Sequence, residues 1–288
     1  MAEPRCLIFV GAHPDDESFG PGGTLAKYAA EGVKVYYACA TRGEVGEASA
    51  ENLAGHASAG DMRWSELTCA AQALGLAGVI HLGYRDSGMP GSPNNTAPGA
   101  LAAAPLDEAT GRVVKVLREL RPQVVITHDP IGGYRHPDHI ATHLATVKAF
   151  TAAGDASQFP ELGPTYQPQK LYYTMFPHGL LKLAVRVLPL FGQDPRHIGQ
   201  NHDVDLVSLT EVEYPIHARI QVKGPAAQAR ASAAACHRSQ MGGGPRQNGV
   251  MGLVMRFMQR EDVFMRAQPA AGDQRVREKD LFEGVTNV

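Results

Sequence analysis

The sequence predicts an α/β fold in which a Rossmann-like, mostly parallel sheet lies between flanking helices, followed by a smaller C-terminal portion. Over residues 1–150, short apolar runs alternate with segments whose apolar residues recur at helical spacing. Such alternation is typical of a parallel sheet with crossover helices. Polar, histidine-rich loops follow two of the apolar runs. In this fold class such loops lie at the carboxyl ends of strands, where ligands bind.

The elements of the first half follow in order along the chain. Residues 6–10 form an apolar run that ends at Gly11 and is long enough for a strand buried on both faces. The helix predicted at 24–31 ends at Gly32, and the strand predicted at 33–39 completes a βαβ unit. The same pattern then repeats, which predicts helix 62–74, strand 79–82, helix 107–120, strand 124–127 and helix 139–150.

The second half has weaker patterns. We expect the polar, proline-containing segment 151–168 to be a linker or a lid. The apolar stretch 180–191 is expected to be a core element, with a cap over the pocket or an oligomer contact as alternatives. The charged last fifteen residues are expected to fray. The remaining predicted elements are a strand at 171–176, helices at 213–220 and 226–236, and a flexible loop at 241–245.

The length of 288 residues is compatible with one large unit. We assign a single domain to residues 1–265. Within it, 1–150 form the Rossmann-like core and 169–265 form a C-terminal portion that completes the site. Residues 266–288 are assigned as a C-terminal tail.

The charge balance argues against polyanionic partners. Lys and Arg total 27 against 29 Asp and Glu, which gives a net charge of −2, and no basic block is present. Because nucleic acids and anionic membranes need a basic face, we expect neither as a partner. No apolar run reaches the roughly 18 residues of a membrane span. The chain also lacks a signal-peptide pattern, so we expect a cytoplasmic protein. The four cysteines form no Cys-x-x-Cys pair, and we expect them to be buried thiols of a reducing compartment.

Two loops carry the chemistry, and they contain several of the 12 histidines. After the first strand comes Gly-Ala-His13-Pro-Asp15-Asp16-Glu, in which three adjacent acids repel one another unless a cation or hydrogen-bond donors hold them. After the fourth strand, His136-Pro-Asp-His139 repeats the spacing of His13 and Asp16. Together the loops offer two imidazoles and one carboxylate, the ligand count of an open catalytic zinc site. The same set also suits Fe²⁺.

The pair of motifs, His13-Pro-Asp-Asp-Glu17 and His136-Pro-Asp-His139, resembles the LmbE-like/PIG-L-like zinc-dependent N-acetylglucosaminyl deacetylases. The resemblance covers roughly residues 5–265. Further segments that match are Arg63 in the second helix, Tyr-Arg-Asp86-Ser-Gly-Met, Gly-Gly-Tyr134 and His237-Arg-Ser-Gln. The Asp86 and His237 segments are most similar to the subgroup that acts on mycothiol and bacillithiol precursors and conjugates. Ile131 and Arg135 depart from that subgroup, which often has an aromatic residue and a glycine there.

The resemblance implies a role for each of these residues. The metal ligands are expected to be His13, Asp16 and His139. Asp15 is expected to act as general base. In the family, a protonated imidazole at the position of His136 stabilises the oxyanion and protonates the leaving amine. Asp138 is expected to orient His136, and Tyr134 is expected to add a hydrogen bond to the oxyanion. The residues expected to bind substrate are Arg63, Asp86 and His237. His128 and His143 are expected to support the site.

These residues predict a metal-dependent hydrolase that removes the N-acetyl group from an N-acetylglucosamine-containing small molecule by attack of metal-bound water. The expected cofactor is Zn²⁺, with Fe²⁺ as an alternative. The expected partner is an amino-sugar substrate, and the protein could also form a homo-oligomer. A zinc-dependent amidase that cleaves a thiol S-conjugate pseudodisaccharide is the nearest alternative. A glycosidase using Asp15 and Asp129, or a metal-stabilised binding protein without turnover, are alternatives from other classes.

Overall fold

The computed structural model describes residues 4–46, 49–176, 178–198, 204–240, 260–271 and 277–286. Its centre is a seven-stranded sheet of order β3-β2-β1-β4-β5-β7-β6. The strands are β1 (Cys6–Gly11), β2 (Lys34–Cys39), β3 (Gly78–His81), β4 (Val124–Thr127), β5 (Lys170–Met175), β6 (Ala218–Gln221) and β7 (Glu261–Gln268). The first five strands pair in parallel, whereas β7 is antiparallel to both β5 and β6. The predicted mostly parallel α/β sheet is therefore confirmed.

Ten α-helices flank the sheet in the described part of the chain. They are α1 (Asp16–Phe19), α2 (Gly22–Ala30), α3 (Ala50–Leu53), α4 (Ala59–Leu74), α5 (Leu106–Leu120), α6 (Gly132–Arg135), α7 (Pro137–Ala152), α8 (His178–Val187), α9 (Leu206–Leu209) and α10 (Pro225–Cys236). None of the described helices is long and apolar enough to cross a membrane.

The core lies on both faces of the sheet, which explains the continuous apolar run of β1. Ile8 and Val10 pack with residues of α5 and α7 on one face. Leu7 and Phe9 pack with residues of α2 and α4 on the other. A strand covered on both faces has no polar side to present, so its sequence does not alternate.

The prediction of a helix at 213–220 is wrong. The last residues of this segment belong to β6, in which Ala218 and Ile220 are buried while Arg219 and Gln221 face solvent. A period of two marks a strand, and β6 pairs with β7, which the sequence analysis did not predict. The apolar stretch 180–191 does not form core as a whole, because Leu190 and Phe191 are 81% and 65% exposed.

The segment 151–168 lies at the amino ends of the parallel strands, so it cannot cover the predicted site as a lid. It leads into the amino end of β5, whereas the histidine-rich loops leave the carboxyl ends of β1 and β4. The buried guanidinium of Arg118 in α5 donates hydrogen bonds to carbonyl oxygens of this segment, among them those of Asp155 and Gln158. The segment is thus a fixed connection on the opposite side from the predicted site.

The C-terminal residues 277–286 do not fray. Leu281 has no exposed surface, and its amide donates to Tyr28 Oη at 2.6 Å. Glu278 is buried and accepts hydrogen bonds from Lys170 Nζ and Arg266 at 2.7 Å each. The charged residues of this stretch had predicted a frayed tail, but the long-range partners of its side chains lie on β5, β7 and α2.

The cysteines are only partly as expected. Cys6 and Cys39 are buried free thiols, as predicted. Cys69 and Cys236 instead form a disulfide between α4 and α10, across 167 residues of sequence. Neither cysteine lies in a motif, so only the packing of these two helices reveals the pair.

Candidate active site

The two histidine-rich loops meet at the centre of the sheet. β1 and β4 are neighbours, and the chain runs outward from β1 through β2 to β3 on one side and from β4 to β5 on the other. The order therefore reverses between β1 and β4, and loops that leave adjacent carboxyl ends in opposite directions open a crevice there. Residues far apart in sequence, such as His13 and His139, come into contact for this reason.

The loop after β1 is held in an unusual conformation. The carboxylate of Asp16 accepts hydrogen bonds from the amides of Ala12 and His13 at 2.8 and 2.9 Å, which closes a tight turn. Asp15 has a φ of 128°, a region that residues with a side chain rarely adopt. Such strain persists only where neighbouring groups enforce it, and it is common at functional sites.

Three predicted ligands lie close together, His13 and Asp16 from this turn and His139 from α7. His13 Nδ1 is 3.2 Å from His139 Nε2, which in turn is 3.4 Å from Asp16 Oδ1. His128 also approaches, with Nε2 3.2 Å from Asp16 Oδ2 and its ring stacked on His139 at 3.9 Å between centroids. All of these side chains except that of Asp16, which is half-buried, are buried.

Buried imidazoles and the carboxylates beside them form donor sets that fit a divalent metal. Two imidazole nitrogens that face each other at 3.2 Å need a shared proton or cation between them. Burial, reinforced by the nearby His128, holds the pKa of His139 well below its usual range, which favours the neutral ring that binds metals. Among the described residues, overlapping groups of ligating side chains have all their donor atoms within 4.8 Å of one another: His13 with His136 and His139, Asp16 with His128 and His139, and His13 with Asp86, His136 and Asp138.

Asp138 and Asp86 contact His13 on the side of its ring away from His139. His13 Nε2 is 3.2 Å from Asp138 Oδ2 and 3.5 Å from Asp86 Oδ1. The amide of Ser87 also donates to Asp138 Oδ2, at 2.9 Å. A carboxylate on the second ring nitrogen of a ligating histidine fixes its tautomer and orientation. The resemblance had implied that Asp138 orients His136, but here the two residues meet through the backbone amide of Asp138, which donates to His136 Nδ1 at 3.1 Å.

Arg63 holds Asp15. Its guanidinium donates to Asp15 Oδ2 at 3.0 Å and to the carbonyl oxygen of Pro14 at 2.8 Å. Burial raises the pKa of Asp15 to about 6, although the charge of Arg63 acts to lower it. The side chain of Arg63 is only 5% exposed and that of Asp15 is 19% exposed. Of the two side chains, that of Asp15 is the more exposed.

Tyr134 and His136 lie beside the cluster on the loop after β4. This loop turns sharply at Gly132 and Gly133, which both have positive φ, and the amide of Gly133 donates to Asp129 Oδ1 at 2.8 Å. The ring of Tyr134 lies 5.1 Å from that of His139 and 5.8 Å from that of His136. Burial and the neighbouring His13 lower the pKa of His136 to about 4.

Two other histidines lie next to the cluster, and each contacts one of its neighbouring residues. His143 Nδ1 lies 2.9 Å from the carbonyl oxygen of His128. His237 has no exposed surface, and its Nε2 is 2.7 Å from Glu17 Oε1. No role was predicted for Glu17, the last residue of the first motif, although it is the partner of His237. The third adjacent acid in that motif was the available signal, since a buried third carboxylate needs its own cationic or hydrogen-bonding partner.

The fold and this cluster define an α/β protein with a candidate metal centre at the switch point of its sheet. The chain belongs to the PIG-L family, described as GlcNAc-PI de-N-acetylase, whose sequence pattern matches residues 8–150. The resemblance stated from the two motifs is therefore confirmed.

Relatives that cover most of the chain carry one name. A 1D-myo-inositol 2-acetamido-2-deoxy-alpha-D-glucopyranoside deacetylase of Geodermatophilus obscurus is 43% identical over 203 residues, which cover 67% of this chain and 69% of the relative. The enzyme of that name from Rhodococcus jostii is 35% identical and covers 99% of both chains. A solved structure of a conserved protein from Thermus thermophilus matches with a TM-score of 0.58 at 24% identity, over 94% of this chain and 96% of that one.

Proposed function

We propose that this protein is a metal-dependent hydrolase that removes the N-acetyl group from an N-acetylglucosamine-containing small molecule. The observation that carries the proposal is Asp15, a half-buried carboxylate held by Arg63 beside a cluster of buried imidazoles. The relatives named above supply the substrate class, a 2-acetamido-2-deoxyglucoside of myo-inositol.

His13, Asp16 and His139 are the residues proposed to hold the metal. A divalent metal bound there would polarise the acetamide carbonyl and increase the acidity of water. Zinc as that metal, a cytoplasmic location and a homo-oligomeric state are further parts of the proposal. Metal analysis, cell fractionation and light scattering would test them in turn.

Asp15 is proposed to move the protons. Its carboxylate takes a proton from the water that attacks the acetamide carbon, and the same group then returns a proton to the departing amine. Acetate and a free amine result. A carboxyl group whose pKa is near the working pH can serve in both directions, and burial raises the pKa of Asp15 toward that range.

His136 and Tyr134 are proposed to stabilise the oxyanion. Because His136 Nδ1 accepts the backbone amide of Asp138, the hydrogen of a neutral His136 ring is on Nε2. That N–H and the Tyr134 hydroxyl are donors that can meet negative charge on the former carbonyl oxygen. His136 thus contributes as a neutral donor, rather than as the protonated ring that the resemblance implied.

The test is amine release by purified protein of measured metal content. The substrates are the myo-inositol 2-acetamido-2-deoxyglucoside named in the relatives, free N-acetylglucosamine and an S-conjugated pseudodisaccharide. We expect the first to be preferred, and we expect Asp15→Ala to keep the metal and lose most turnover. Preference for the S-conjugate would favour the amidase alternative. A folded, metal-loaded protein that releases amine from no acetylated amino sugar would overturn the proposal.

A further inference from the structure

Beyond the groups that would face the substrate, one buried glutamate–histidine pair lies next to Asp15. The side chains of Glu17 and His237 both have 0% exposure, and His237 Nε2 is 2.7 Å from Glu17 Oε1. A carboxylate only accepts hydrogen bonds, so the hydrogen of the His237 ring is on Nε2. With no exposed surface, His237 cannot touch a substrate in this arrangement, although its segment was expected to do so.

Glu17 also binds the backbone of Asp15. Its second oxygen, Oε2, accepts the backbone amide of Asp15 at 3.0 Å, while Oε1 also accepts the hydroxyl of Ser18 at 2.6 Å. Asp15 has the positive φ of 128°, so its conformation depends on the groups that hold it. The Glu17 carboxylate holds the backbone of Asp15, just as Arg63 holds its side chain.

The position of His237 is itself anchored on both sides. The preceding residue, Cys236, is bonded to Cys69 of α4. Two residues later, the amide and hydroxyl of Ser239 donate to Glu66 of α4 at 2.8 and 2.6 Å. Since α4 also carries Arg63, one covalently joined pair of helices supports both groups that hold Asp15.

We propose that His237 is a positioning residue that acts through Glu17 to hold Asp15 in its working conformation, rather than a substrate-binding residue. The kinetic test of this inference rests on the proposed function, because it needs a substrate that the protein turns over. The structural link from His237 to the backbone of Asp15 can be tested without any activity.

The kinetic test compares His237→Ala with His237→Gln. Misplacing a reacting group by about 1 Å can cost on the order of 100-fold in rate, so we expect His237→Ala to lower kcat by about 10- to 100-fold. KM and metal content should stay unchanged, because the substrate contacts and the metal ligands are intact. His237→Gln restores an N–H donor toward Glu17 and should recover part of the loss. A raised KM with unchanged kcat would instead show that His237 contacts substrate, and would overturn the inference.

A matched control separates positioning from general loss of stability. His217 is a half-buried histidine immediately before β6, where its Nδ1 accepts the amide of Arg266 at 3.0 Å. We expect His217→Ala to leave kcat unchanged even if it lowers stability. In addition, Glu17→Gln combined with His237→Ala should cost no more than the larger single change, because both act along one path. Additive losses, or an equal loss in the control, would contradict the proposal.

Hydrogen exchange gives a readout that does not depend on turnover. In His237→Ala, the freed Glu17 carboxylate should hold the Asp15 amide less well, so exchange over residues 12–19 should become faster than in wild type and in the His217→Ala control. Unchanged exchange there would refute the link even if no substrate is found. If wild type releases no amine but the exchange changes as expected, the proposed function fails while the link stands.

Discussion

The contact between Asp138 and His13 makes a specific prediction about metal affinity. Asp138 has no exposed surface, and its carboxylate lies 3.2 Å from Nε2 of His13. The change Asp138→Asn keeps the size of the side chain and an acceptor oxygen but removes the charge. A hydrogen bond to a charged group is worth about 1.5–3 kcal/mol and a neutral one about 0.5–1.5 kcal/mol. The difference of about 1–1.5 kcal/mol corresponds to roughly tenfold weaker metal binding.

Competition with a chromophoric chelator would measure the zinc dissociation constant of each protein. Asp129→Asn is the matched control, because Asp129 is also buried, in the loop that leads from β4 to α7, but its carboxylate accepts the amide of Gly133 and does not contact a proposed ligand. We expect its zinc affinity to equal that of wild type. If Asp138→Asn binds zinc as tightly as wild type while kcat falls, Asp138 acts on His136 as the family resemblance implies, and the reasoning from the contact with His13 is refuted.

Three further predictions concern the metal and the stability of the fold. Removal of the metal with a chelator should abolish amine release, and added zinc should restore it. The His13→Ala variant should bind less than one metal ion per chain. Full activity after verified metal removal would contradict the proposed metal site. Glu278→Gln should lower the free energy of unfolding in urea by about 3–5 kcal/mol, because it leaves the buried Lys170 without its anion. Asp107→Asn, which breaks an exposed ion pair, should cost less than about 1 kcal/mol, and an equal effect of the two changes would refute this reasoning. Cys69→Ala should cost about 2–4 kcal/mol, and reductant should bring wild type to the same stability but leave the variant unchanged.

Local patterns predicted much of the first half of the fold. The strand at 124–127 has the bounds that the structure shows, and the helices at 62–74 and 107–120 were short of their true starts by one turn or less. These elements have strong signals, because their apolar periodicity and their glycine or proline stops lie within or directly beside the elements themselves. The error at 213–220 arose where a short edge strand depends on β7, a partner 40 or more residues later. Pairing with a distant strand leaves little trace in local periodicity.

The candidate site divides in the same way. The sequence by itself determined the family and which loops carry the chemistry, because the residue types and spacing of the two motifs are local properties of the chain. The tertiary structure alone decided which side chains contact one another: Asp138 and Asp86 with His13, Arg63 with Asp15, and His237 with Glu17. Each of these contacts joins residues brought together by the sheet order or by the packing of α4 and α10 around the loop after β1. Such contacts depend on how whole elements pack, and a sequence pattern records only what lies within each element.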